Sequence, residues 1–85
     1  MEIVLTDHAR NDLEYWRKSG SKAIQLKITR LLEAVIESPF TGIGKPEPLK
    51  FELTGTWSRR ITSEHRMVYE VEEKRITILS FRGHY

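Results

Sequence analysis

Glu47, Arg66 and His84 are the side chains whose types, taken together, could move protons around a phosphate. Glu47 stands in Lys45-Pro46-Glu47-Pro48-Leu49-Lys50, Arg66 closes Glu64-His65-Arg66, and His84 lies in the terminal Phe81-Arg82-Gly83-His84-Tyr85. Cutting RNA without a metal or other cofactor needs three groups: a base for the 2′-hydroxyl proton, an acid for the departing 5′-oxygen, and fixed positive charge beside the phosphoryl oxygens. Glu47 suits the base and His84 the acid, while the guanidinium of Arg66 can hold two oxygens at once. Lys50, Arg59 and Arg60 would draw in the RNA backbone, and Trp57 or Tyr85 could stack on a splayed base.

Each assignment has an ordinary competitor. A Glu in a loop is usually just solvated, but the prolines on both sides of Glu47 restrict its backbone. His84 sits near a terminus, where chains fray, yet it follows a strand-like run that could fix it. Arg59 and Arg60 in a strand point to opposite faces, so at least one is expected to be structural, paired with Glu52, Glu64 or Glu70. Trp57 and Tyr69 are large aromatics that a small core needs for packing. The pairs Asp7-His8 and Glu64-His65 lack metal-ligand spacing, and Gly42-Ile43-Gly44 is not placed between a strand and a helix as a phosphate loop requires.

These residues must be positioned by a short chain. Its 85 residues suffice for one domain, residues 1–85, with a thin core. The absence of cysteine excludes disulfides and thiolate metal sites and fits a reducing compartment. No apolar run approaches the roughly 20 residues of a membrane span, and no leader precedes Ile3-Val4-Leu5, so a soluble cytoplasmic protein without a membrane partner is expected. The charge is uneven: residues 1–44 hold six Lys/Arg and six Asp/Glu, whereas residues 45–85 hold eight and six. The whole excess of +2 therefore lies in the half that carries the candidate site, as an anionic partner would favour.

Ile3 to Leu5 predicts an opening strand, and Thr6 or Asp7 a helix cap. Ala9, Leu13 and Trp16 form one apolar stripe, broken at Ser19-Gly20-Ser21, and Ile24, Ile28, Leu31, Leu32 and Val35 form a longer one that ends at Ser38-Pro39. Ser38 to Pro48, with three prolines and two glycines, predicts a long loop. Strands are expected at 49–53, 57–61, 66–72 and 76–81, joined by hairpin-length turns. The fold class is α+β: an N-terminal strand and a two-helix hairpin packed on a twisted, mainly antiparallel sheet of four or five strands.

At motif level the stretches Ser38–Lys50 and Leu53–Tyr69, with the final His84-Tyr85, resemble the YoeB/Txe branch of the RelE-superfamily toxins. The resemblance implies a RelE-like fold and an mRNA endoribonuclease, the toxin of a type II toxin–antitoxin pair, which cuts the codon in the ribosomal A site. It places the family's base on Glu47, its transition-state arginine on Arg66, its acid on His84 and its terminal aromatic on Tyr85, with Lys50 and Arg60 at basic positions that hold RNA or ribosome. A cognate antitoxin of the YefM/Axe kind is implied, and members of this branch are often homodimers. Gly83 departs from the bulkier residue that relatives tend to carry, which leaves the backbone before His84 with fewer intrinsic restraints. Two other classes compete: a non-catalytic RNA- or ribosome-binding module, and an interaction protein whose basic groove takes an acidic peptide.

Overall fold

The computed structural model describes residues 2–49 and 55–83. It begins with β1 (Glu2–Leu5), after which Thr6 accepts a hydrogen bond from the Ala9 amide and starts α1 (Asp7–Ser19). Gly20, with φ of 77°, closes that helix in the left-handed region, and Ser21 caps α2 (Lys22–Glu37) through the Ile24 amide. Both caps satisfy amides that a first turn would leave without partners. Four strands follow: β2 (Glu47–Pro48), β3 (Thr56–Arg60), β4 (Arg66–Val71) and β5 (Arg75–Ser80).

The five strands form one sheet in the order β1-β5-β4-β3-β2. The β1–β5 pair is parallel and the other three are antiparallel. One face of the sheet carries Met67, Tyr69, Ile76 and Ile78, which pack with Phe81 against Ala9, Trp16, Ile28, Leu31 and Val35 of the helices. Burying side chains of this size contributes about 1.5–3 kcal/mol each, and the helical stripes read from the sequence supply the partners. No described helix is long and apolar enough to cross a membrane.

Two details differ from expectation. Glu47 and Pro48, expected in the loop, form a short edge strand opposite Ser58 and Trp57, and the Leu49 amide extends the pairing to the Thr56 carbonyl at 2.8 Å. Proline is tolerated there because an edge strand has one side free of ladder bonds. Of the strand expected at 49–53, residues 50–53 lie outside the described residues.

The second difference is Arg59, which is fully buried rather than facing RNA. The register sets it opposite Met67, on the helix side of the sheet. Its guanidinium donates to the carbonyls of Ser38, Thr41 (3.0 Å) and Ile43 (3.2 Å), and its Nε donates to the Tyr69 hydroxyl at 3.1 Å. Tyr69 in turn donates to the Pro39 carbonyl at 2.8 Å. Arg59 and Tyr69 thus tie the proline-rich loop to the sheet. Gly44, with φ of 82°, completes the seam, since a Cβ there would meet Leu31 Cδ2 at 2.8 Å and Arg59 Cβ at 3.1 Å.

Burial pushes the Tyr69 phenol above its ordinary value of 10.0, while the hydrogen bond and charge of Arg59 pull the other way. A raised pKa favours the protonated phenol in the fold, so that contribution is intact below about pH 10 and is lost as pH rises through the folded value. Arg59→Met should cost about 3 kcal/mol, because three carbonyls lose a charged donor, and lower Tm by roughly 10–20 °C. Thermal unfolding followed by circular dichroism measures this directly; a shift below about 3 °C would mean that the seam is not tied through Arg59.

Candidate active site

The face of the sheet away from the helices carries the groups with chemical potential. Alternation along β3 and β4 puts Ser58, Arg60 and Arg66 on this face, and pairing of Glu47 with Ser58 brings the acid to the same side. Arg66 Nη1 lies 3.9 Å from Glu47 Oε2 and donates to Ser58 Oγ at 3.3 Å. The Arg66 side chain is only 16 % exposed and Glu47 is 57 % exposed, so the cation is held while the carboxylate meets solvent.

Ser58 is a site residue that motif reading passes over. It is 1 % exposed, and among the described residues its hydroxyl is the only side-chain group that accepts a hydrogen bond from Arg66. Placing Trp57–Ile61 as a strand already puts Ser58 on the same face as Arg60, which was the available signal.

Arg60 stands directly opposite Arg66 and is exposed. Like charges facing each other across a strand pair are destabilising, so this arrangement spends stability to concentrate positive potential. Beyond Arg60 opens a cleft of about 400 Å³ lined by Lys27, Lys45 and Arg60 together with Gly44 and residues 61–63. Lys45 takes φ of 50°, an uncommon conformation for a side-chain-bearing residue. The cleft does not include Glu47 or Arg66; it shares Arg60 with their face and extends to Lys27 of α2.

The chain leading to His84 returns to the start of β4. The Arg66 amide donates to the Gly83 carbonyl at 2.8 Å, so the carbonyl from which the peptide bond to His84 is made rests on the backbone of Arg66. The structure therefore brings together Glu47, Arg66, Arg60 and the backbone of Gly83, and separates Arg59 from them. Lys50, His84 and Tyr85 lie outside the described residues.

A family model for the YoeB-like toxin of bacterial type II toxin-antitoxin system matches residues 5–85. The chain is 45 % identical over 85 residues to the Toxin YoeB of Synechocystis sp., covering 100 % of this chain and 98 % of that one. Among solved structures, the YoeB/ParE toxin from Agrobacterium tumefaciens superposes with a TM-score of 0.94 at 41 % identity, covering 100 % of both chains. A YoeB dimer and a heterotetrameric YoeB-YefM complex, both from Staphylococcus aureus, superpose at 0.90 and 0.87, each at 41 % identity over 100 % of this chain and 98 % of theirs.

Proposed function

The chain belongs to the YoeB-like toxins of bacterial type II toxin–antitoxin systems, and from that premise we propose that it is a ribosome-dependent endoribonuclease that cuts mRNA in the A site. The observation that carries this reading is the pair Glu47 and Arg66, 3.9 Å apart on the open face, beside the Gly83 carbonyl from which the peptide bond to His84 leaves. An acceptor for a proton and a planar cation for a phosphate are adjacent there, and the link to an imidazole starts from a carbonyl held by the Arg66 amide.

In the reaction, Glu47 takes the proton of a ribose 2′-hydroxyl as the 2′-oxygen attacks the adjacent phosphorus. Arg66 binds the non-bridging oxygens, where negative charge accumulates, and Ser58 holds the guanidinium toward them. His84 delivers a proton to the 5′-oxygen as its bond to phosphorus breaks. The products are a 2′,3′-cyclic phosphate and a free 5′-hydroxyl, and the proton gained by Glu47 balances the one lost by His84. Arg60, Lys50 and Tyr85 are assigned to RNA and ribosome contact, and residues 1–85 to one cytoplasmic toxin domain.

Its partners are mRNA, the ribosomal A site, a cognate antitoxin of the YefM/Axe kind and a second copy of the chain, in line with the YoeB dimer and the YoeB-YefM complex from S. aureus. The test is cleavage in a translating extract of an mRNA carrying a single 2′-deoxy nucleotide at the mapped cut. Cutting should stop at that position alone, and unmodified RNA should yield cyclic phosphate and 5′-hydroxyl ends. Continued cutting at the deoxy position would exclude 2′-oxygen attack, and a translation block with intact mRNA would favour the binding module.

A further inference from the structure

Four backbone hydrogen-bonding groups of Phe81 and Gly83 are held, three of them by side chains outside the reacting set. Asp12 Oδ2 accepts from the Phe81 amide at 3.0 Å, and Trp16 Nε1 donates to the Phe81 carbonyl at 3.0 Å. His65 Nδ1 accepts from the Gly83 amide at 3.0 Å, and the Arg66 amide binds the Gly83 carbonyl. Between these points the Arg82 guanidinium lies 3.7 Å from the centre of the Tyr15 ring. Trp16 meets Tyr15 edge-on at 5.0 Å and His65 edge-on at 4.8 Å, which makes the clamp one connected packing unit.

Chain termini fray unless tied down, and a reacting group must be held to a fraction of an ångström. Asp12 is 6 % exposed and turns its carboxylate to a main-chain amide, with His8 Nε2 at 3.4 Å. Burying a carboxylate is expensive unless it is hydrogen-bonded and paired, and here the Phe81 amide and the His8 imidazole are its partners. Gly83 takes φ of 84°, in the left-handed region that a residue without a side chain enters freely. A glycine expected to loosen the chain instead lets it turn so that both its amide and its carbonyl are engaged.

We infer that Asp12, Trp16 and His65 are positioning residues that fix the peptide link to His84 and so set where its imidazole stands. His65 is the decisive member, because it must offer Nδ1 as an acceptor and hence carry its proton on Nε2. The inference rests on the ribonuclease reading for what His84 does, whereas the clamp itself can be measured without activity.

The experiment compares wild type with His65→Leu and His65→Asn in single-turnover cleavage on programmed ribosomes and in amide exchange at Gly83. Leu removes the acceptor, whereas Asn can place Oδ1 near the position of Nδ1. His65→Leu should lower the maximal rate about tenfold or more, leave half-saturation for ribosomes within about twofold, and speed Gly83 exchange; His65→Asn should restore most of both. In a His84→Ala background His65→Leu should cost nothing further. Unchanged Gly83 exchange in His65→Leu, or an equal rate loss without His84, would overturn the inference. An inactive wild type would count against the ribonuclease reading, and Gly83 exchange would still uphold or overturn the clamp.

Discussion

Replacing Arg66 with Ala should reduce single-turnover cleavage on programmed ribosomes by about 10²–10³-fold, roughly 2.7–4 kcal/mol of transition-state stabilisation. The loss is large because the guanidinium is already in place before substrate arrives: its side chain is 16 % exposed and Ser58 holds it, so no reorganisation is needed as charge develops. Arg66→Lys should recover only part of the rate, since an ammonium cannot span two oxygens in a planar fork. Binding should change far less than rate, because Arg60, Lys45 and Lys27 still line the cationic cleft. Ser58→Ala, which frees the guanidinium without removing it, should fall between wild type and Arg66→Ala. A loss below about fivefold in Arg66→Ala would remove it from the reaction.

Glu47→Ala should be comparably severe, at about 10²–10⁴-fold, as expected when a positioned base is deleted. Its backbone is fixed by the neighbouring prolines and by pairing with Ser58, which sets its carboxylate beside Arg66. Two outcomes can be separated. A rate loss with unchanged ribosome affinity is that of a missing base, whereas tighter binding with little rate loss would mean that Glu47 only tempers the charge of Arg66. Rates and affinities measured on the same ribosomes decide between them.

Much of this architecture is legible in the residues. Thr6 announces a helix start, Ser19-Gly20-Ser21 a break, and the stripes from Ala9 to Trp16 and from Ile24 to Val35 specify which faces are covered. Period-two alternation at Met67, Tyr69 and Val71 identifies the core face of β4. What escapes depends on register and on distant contacts. Alternation says that Arg59 and Arg60 part company, but a one-residue slip against β4 would exchange them; only the pairing of Arg59 with Met67 sends it inward. The parallel pairing of β1 with β5 joins the two ends of the chain and leaves no local trace.

Ser58 and the clamp were missed for different reasons. A serine in a strand carries no motif, and its importance comes from the arginine that leans on it. Asp12, by contrast, breaks an apolar stripe between Ala9 and Trp16, and an acid at a buried helix position demands a partner. That partner is 69 residues away, on the Phe81 amide. The candidate site follows the same division. Its residue types are visible in the chain, whereas the meeting of Glu47 with Arg66 depends on an edge strand that the prolines disguise.

The central claim is that Glu47, Arg66 and His84 act on one phosphodiester, with His84 protonating the leaving oxygen. The most direct measurement is single-turnover cleavage by wild type and His84→Ala of mRNA in which sulfur replaces the scissile 5′-oxygen. A thiolate departs without a proton, so the variant should be slower by about 10²-fold or more on ordinary mRNA yet within about tenfold of wild type on the sulfur substrate. An equal defect on both substrates would contradict the assignment of His84 as the acid.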